Sequence, residues 1–365
     1  MEISKELNPQ KIVALSQKFE WSNKLSEQLL ADLPKVLKND SSVESIQNYA
    51  KSLNLNPLHE FCKNNHSIPE TFQLFCIIAA LPNTMQDYER KNIPLKYFYQ
   101  IMNDLHIWAN DYFKKNNRWG FDKINWITNH LKLNIFQIGA FQFEPQIFNK
   151  PFHVYLKKNT KEVMCLTSSD LLCNQVGLLI DEKQSNQQDF KTTFIEDSTQ
   201  FYGHIVDKKG YVQSKKSGFL HQDWDLIAKP GGNYISFHIP EGSKLTIDNL
   251  NTSFLEANQF FAKYLPEFTY QIFGTDSWIC DDQIANYLPE SNIAKFQQCV
   301  HLLPIKNGND EQFKERVFGD PKVNLDEIMP KTQLQKIGLD HIKAGKEWRK
   351  KSFVLYKNNL PLQQN

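Results

Sequence analysis

Residues 232–264 read GNYISFHIPEGSKLTIDNLNTSFLEANQFFAKY, and this stretch decides how the second half of the chain is built. Tyr234 to Ile239 is rich in β-branched and aromatic residues, which predicts a strand. Pro240 follows and has no N–H to give to a ladder, so pairing must stop there and the strand end is expected to splay. The next apolar face, Phe254, Ala257, Phe261 and Tyr264, has helical spacing, and Ser253 with Glu256 three residues on reads as a capping box. A second strand is predicted over 268–273, a short helix over 281–288 stopped by Pro289, a helix capped by Ser291, and a third strand over 300–305. Alternating strand and helix signals of this kind favour a sheet with crossover connections.

In such a sheet, ligands lie outside the carboxyl ends of the strands. That rule singles out His238, Glu241 and the backbone N–H groups around Gly242. His238 fits two roles, a packed histidine bonded to backbone or a base whose imidazole titrates near neutrality. The second strand is predicted to run into Gly274-Thr275-Asp276-Ser277, so Asp276 and Ser277 would join His238 if the strands are neighbours. Turn and cap formation is the other use of those two residues. Ser277 lacks the G-x-S-x-G elbow of a serine nucleophile, Cys280 has no nucleophile signature around it, and Trp278 reads as core. Gly242, Ser243, Lys244 and Ser253 are where a phosphate would meet this loop and helix start, although a capping box uses two of the amides and Asp248 repels an anion.

Outward from this stretch, the preceding half has a different rhythm. From Pro9 to Arg118 apolar residues recur every three or four positions, as in Phe98, Ile101, Leu105, Trp108 and Tyr112, which predicts packed helices. Breaks are expected at Asn56-Pro57, Ile68-Pro69, Leu81-Pro82 and Ile93-Pro94. A last helix is predicted over 122–131, then hairpin strands over 135–143, 152–156 and 163–166, and an exposed polar loop over 181–189. Thr332 is expected to cap a helix running to about Ala344, ahead of a final strand over 352–356. Arg316, Lys331 and the basic run Arg349 to Lys351 read as solvated or ion-paired surface. The division is therefore α+β, with a helical domain over 1–120 and a mixed α/β domain over 121–365.

Composition narrows the partners. The 365 residues carry 42 Lys and Arg against 41 Asp and Glu, a net charge of +1, so no overall field draws a polyanion and nucleic acid is not expected. The longest apolar run, Leu74 to Leu81, is too short for a membrane span, and the charged start MEISKELNPQ lacks a signal-peptide core. Six dispersed cysteines with no CxxC pair point to free thiols in the cytoplasm rather than to a metal site.

The segments HIPEG at 238–242, SFLEANQFF at 253–261, DSWICD at 276–281, LPESNIAKF at 288–296, RVFG at 316–319 and PKTQLQ at 330–335 together resemble the two-domain bacterial acyltransferase-domain proteins. FQIGAFQFE at 136–144 extends the resemblance, which covers about residues 126–345; the helical part agrees in character only. The resemblance implies a helical N-acyltransferase-type domain joined to a GNAT-like domain. It also implies an acyl-coenzyme A co-substrate and a small-molecule or peptide amine as acceptor, with no metal. Two departures stand out: the loop PEGSKLTIDNLNTS has one glycine and one lysine where a GNAT pyrophosphate loop is glycine-rich, and Gly-Thr-Asp stands at 274–276 where the family places a cysteine ahead of Ser-Trp. On the first departure rests an alternative, a GNAT-shaped protein that binds a small molecule or peptide without turnover.

Overall fold

The computed structural model describes residues 3–306 and 308–362. It divides into two compact units, one of residues 1–144, 239–243 and 262–264, the other of 145–238, 244–261 and 265–365.

The first unit is built of helices, followed by one hairpin. Its middle is helix Phe72–Arg90, in which Phe72 and Leu74 through Leu81 are all buried, so the helix is apolar on every side, as a central helix must be. The break expected at Leu81-Pro82 does not occur: the helix runs through Pro82 for two more turns. An internal proline costs about 3 kcal/mol, but each large apolar side chain fully buried returns roughly 1.5–3 kcal/mol, and this helix buries many. Ile93-Pro94, by contrast, does end a helix, with Pro94 standing before Leu95–Met102. Helices Asp104–Asn116 and Ile124–Leu131 are joined by a buried polar contact, in which Asp104 accepts from His130 Nε2 and from Trp126 Nε1, both at 3.0 Å. Burial works against the Asp104 charge, yet these donors hold its carboxyl below the ordinary value.

Fourteen strands occur among the described residues. The single run expected over 135–143 is instead a tight hairpin of β1 (Phe136–Ile138) and β2 (Phe141–Phe148), turned at Gly139 with φ +61°. The sequence places six antiparallel strands next, β3 (Phe152–Lys157), β4 (Val163–Thr167), β7 (Ile195–Glu196), β8 (Gln200–Val206), β9 (Val212–Leu220) and β10 (Trp224–Ala228), with a small pair, β5 (Leu172–Cys173) and β6 (Phe190–Lys191), inserted between β4 and β7. Only β3 and β4 of this sheet are predicted from the sequence. β7 is short and β9 mostly exposed, so they carry little hydrophobic alternation to read, and in β8 the register shifts between His204 and Val206, which breaks the alternation.

The main sheet of the second unit follows, β11 (Gly232–His238), β12 (Ile272–Ser277), β13 (His301–Leu303) and β14 (Lys351–Tyr356), in the order β2-β11-β12-β14-β13. Helix Ile247–Tyr264 is the crossover between the parallel strands β11 and β12. It starts earlier than the sequence suggests: Thr246, not Ser253, is the N-cap, its Oγ1 accepting from the Asn249 amide at 3.2 Å. The apolar period continues upstream through Leu250, which extends the helix by two turns and leaves Ser253 inside it.

The two faces of this sheet are covered differently. Phe237, Phe273 and Phe353 face the helices, where Phe254 stacks on Phe237 at 5.1 Å and Phe296 meets Phe353 edge-on at 5.1 Å. Tyr234, Ile272, Leu303 and Val354 face the other way and pack with Phe148, Phe152, Val154 and Val206 in one buried cluster. The antiparallel strands thus form a second layer on the face opposite the helices.

Candidate active site

β11 and β12 lie parallel, with Ile235 opposite Phe273 and Ser236 opposite Gly274, and registered pairing ends there. Both strands continue, β11 to His238 and β12 to Ser277, so their carboxyl ends part while β12 stays paired to β14 as far as Ser277 opposite Lys351. Gly274 is what that pairing requires, since a Cβ there would lie 2.5 Å from the Phe353 carbonyl oxygen. The sequence expectation of a splayed end at the β11 proline agrees with this register. The second strand is displaced from its expected place, beginning at Ile272, so Gly274 through Ser277 belong to the strand itself rather than to a loop after it.

Side chains alternate along a strand, and residues opposite one another in a parallel pair share a face. Ser236 and Gly274 share one, so His238 and Asp276, each two residues on, project from that same face, the one turned to the second sheet. Ser277 projects from the opposite face. Its Oγ accepts from the Ile279 amide at 3.4 Å and caps a short turn, the structural use open to it from sequence. Asp276 is ion-paired with Lys150, whose side chain is largely buried. His238 is half-buried at the end of β11.

The loop residues are distributed otherwise. Glu241, Gly242 and Ser243 group with the helical unit. There Glu241 is exposed and 3.8 Å from Lys114 Nζ, and the Ser243 hydroxyl donates to the Ala140 carbonyl at 2.8 Å. Gly242 has φ +83° with open space where a Cβ would point, so its backbone can be approached closely. Lys244 is exposed, and its carbonyl accepts from Asn249 Nδ2 at 2.8 Å. Ser253 is 1 % exposed within helix Ile247–Tyr264 and has no surface to offer a cofactor, which corrects its assignment as a binding residue. Cys280 is fully buried, and burial pushes its thiol well above the ordinary value, so it stays protonated and inert.

Beside Asp276 lies a cavity of about 880 Å³ in the second unit. Lys150, Tyr234 and Asp276 line it together with Asp181 to Lys183, the first residues of the exposed loop over 181–189, and with Pro304 to Lys306. Tyr234 Oη donates to Gln146 Oε1 at 2.9 Å, and Lys306 Nζ sits 2.8 Å from Asp181. Sequence reasoning found Asp276 and the polar loop but missed Lys150, which precedes it by 126 positions and reaches it only through the fold.

A buried ionic cluster closes the far end of β12. Lys351, 1 % exposed, donates to Asp282 at 2.5 Å and to the Lys209 carbonyl at 2.7 Å, and Tyr211 Oη donates to the same carboxylate at 3.1 Å. Burial lowers the Lys351 ammonium below its usual range, with Asp282 opposing. Burial likewise raises the neighbouring Asp281 carboxyl, although the Arg349 amide donates to it at 2.7 Å. The basic run expected as solvated surface is therefore inside at Lys351, because β14 begins there and is buried on both faces.

The fold and the parting strands are those of an acyltransferase-type domain, and the sequence agrees: the chain belongs to the family described as GNAT-like C-terminal domain, which it matches over residues 135–355. Residues 15–133 match the N-acyltransferase N-terminal domain. Among solved structures it is similar to an acyltransferase in complex with CoA and 10C-teicoplanin, at 15% identity and a TM-score of 0.63, over 95% of this chain and 88% of that one. An acyltransferase in complex with decanoyl-CoA gives 16% identity and a TM-score of 0.62 over the same shares, and an acyltransferase variant in complex with octanoyl-CoA gives 15% and 0.63. No curated protein matches the chain.

Proposed function

We propose that the chain transfers an acyl group from a coenzyme A thioester to an amine by direct attack. The observation that carries this reading is the parting of β11 and β12 at their carboxyl ends, in a chain of this family, with His238 and Asp276 on one face. The amine nitrogen attacks the thioester carbon, the C–S bond breaks, and the proton released by nitrogen ends on the departing sulfur. His238 takes that proton, with Glu241 the second candidate base. Backbone N–H groups near Gly242 polarise the carbonyl, and Asp276, held by Lys150, orients the amine. Ser277 supports this from beneath by shaping the turn after β12.

The donor's phosphates have a partial fit. The helix starting at Ile247 offers its N-terminus and Lys244 a charge, while the Thr246 cap and Asp248 weaken the place for an anion. Gly242 and Ser243 complete the proposed contacts. Residues 121–365 would be the acyltransferase-type domain and 1–120 the helical one. A cytoplasmic setting suits six free cysteines.

Isothermal titration with acetyl-, octanoyl- and decanoyl-coenzyme A tests the reading first. Binding of a longer acyl donor is expected, and no heat at millimolar ligand would end the proposal. Thiol release should then fall about 10²–10⁴-fold in His238→Ala if that side chain is the base, with the far-UV spectrum unchanged.

A further inference from the structure

We infer that the cavity beside Asp276 is the acceptor site and that it selects a zwitterionic amine of amino-acid or short-peptide class. The inference rests on the acyl-transfer reading, because Asp276 is a wall of this cavity and projects from the same sheet face as His238.

Size comes first. A cavity of about 880 Å³ is at the upper end of the roughly 300–1,000 Å³ usual for small-molecule sites, so it takes more than a simple alkylamine. Ile147, Phe152, Leu172, Leu179 and Ile305 give the lining apolar surface. Phe152 is fully buried, whereas Ile147 keeps 47 % of its surface exposed. A ligand with an apolar side chain of its own would cover that surface.

Charge then decides the class. The wall carries two formed ion pairs, Lys150 with Asp276 and Lys306 with Asp181. Lys183, Lys191, Asp170 and Glu182 line the cavity as well and belong to neither pair. The lining therefore holds four ammonium groups and four carboxylates. A field of one sign would favour a polyanion or a polycation; a lining that carries both signs equally complements a molecule that bears both charges. Lys150 Nζ already occupies a position on Asp276 that an incoming ammonium can share, since the Asp276 side chain keeps 39% of its surface exposed. An acceptor docked there places its amine at the β12 end, toward the face that carries His238, and turns its carboxylate to Lys183 and Lys191, where charge-assisted hydrogen bonds hold it.

The test uses the full chain and the dipeptide alanylphenylalanine, with its methyl ester and its N-acetyl form as controls, titrated without acyl donor. The dipeptide should bind, and loss of either charge should weaken it about tenfold or more. The exposed double variant Lys183→Ala/Lys191→Ala should weaken the dipeptide to the level of the ester and leave the ester's own affinity unchanged. Equal binding of all three forms, or none at millimolar ligand, overturns the inference, as does a double variant that affects dipeptide and ester alike. Decanoyl-coenzyme A is added last. Amide formed on other amines without dipeptide binding sinks the cavity assignment and leaves acyl transfer standing; charge-dependent dipeptide binding with no amide from any donor sinks acyl transfer and leaves a zwitterion-binding cavity.

Discussion

Along its β14 side, β12 is paired through all six residues, from Ile272 opposite Tyr356 to Ser277 opposite Lys351, whereas along its β11 side registered pairing covers two. The first edge is closed by a glycine that lets the backbones approach, by the aromatic layer under Phe353, and by a buried ion pair at its end. The second edge is left open at the carboxyl end, where His238 and Asp276 share a face. A strand held firmly on one side can present groups on the other without the sheet closing over them. Rigidity and access are thus assigned to opposite edges of one strand.

The largest expected effect is at the closed edge. Phe353→Ala removes a fully buried ring that touches Phe237 at 6.0 Å and Phe296 at 5.1 Å, and should cost about 3–5 kcal/mol in urea unfolding. A loss under about 1 kcal/mol would mean that edge is not what holds β12. Lys351→Met follows, at about 3–4 kcal/mol, because it leaves the Asp282 carboxylate buried without its cation. Adding Asp282→Leu should recover most of that loss, and a double variant no better than the single would argue against an ionic origin. Gly274→Ala comes next, at about 1–3 kcal/mol, since the new Cβ must push Phe353 aside.

A smaller effect depends on pH. His301 on β13 is part-buried, with Nε2 bonded to the Val206 carbonyl at 3.0 Å, and burial holds its imidazole below the ordinary 6.5. The unfolded chain therefore takes up this proton first as pH falls, so the stability it contributes is complete above 6.5 and is lost as pH falls through the folded value. His301→Gln, which keeps a donor for Val206, should flatten that decline in melting temperature below pH 6.5, and an unchanged slope would assign it to other groups. The smallest stability change is expected on the open edge: His238→Ala should shift unfolding by under about 1 kcal/mol while acyl transfer falls. A large loss of stability there would erase the contrast between the edges.

Several elements could be read in advance, though not their order in the sheet. Pro240 announced that pairing ends, Thr332 capped its helix as expected, with its hydroxyl accepting from the Gln335 amide at 3.1 Å, and the apolar periods located the helical half. The errors share a cause. At Pro82 and at the start of the crossover helix burial overrides the local punctuation, and β7 and β9, each paired to β8 alone, carry the weak alternation of edge strands.

By itself the sequence determined the α+β division and the family, because periodicity, proline chemistry and motif are local properties that need no partner. Only the tertiary structure decided that His238 and Asp276 share a face, that Ser277 faces away, that Ser253 is inside a helix, and that Lys150 meets Asp276 across 126 positions. Register sets which face a side chain takes and long-range pairing sets which charges meet, and both depend on contacts between segments that are remote in the chain.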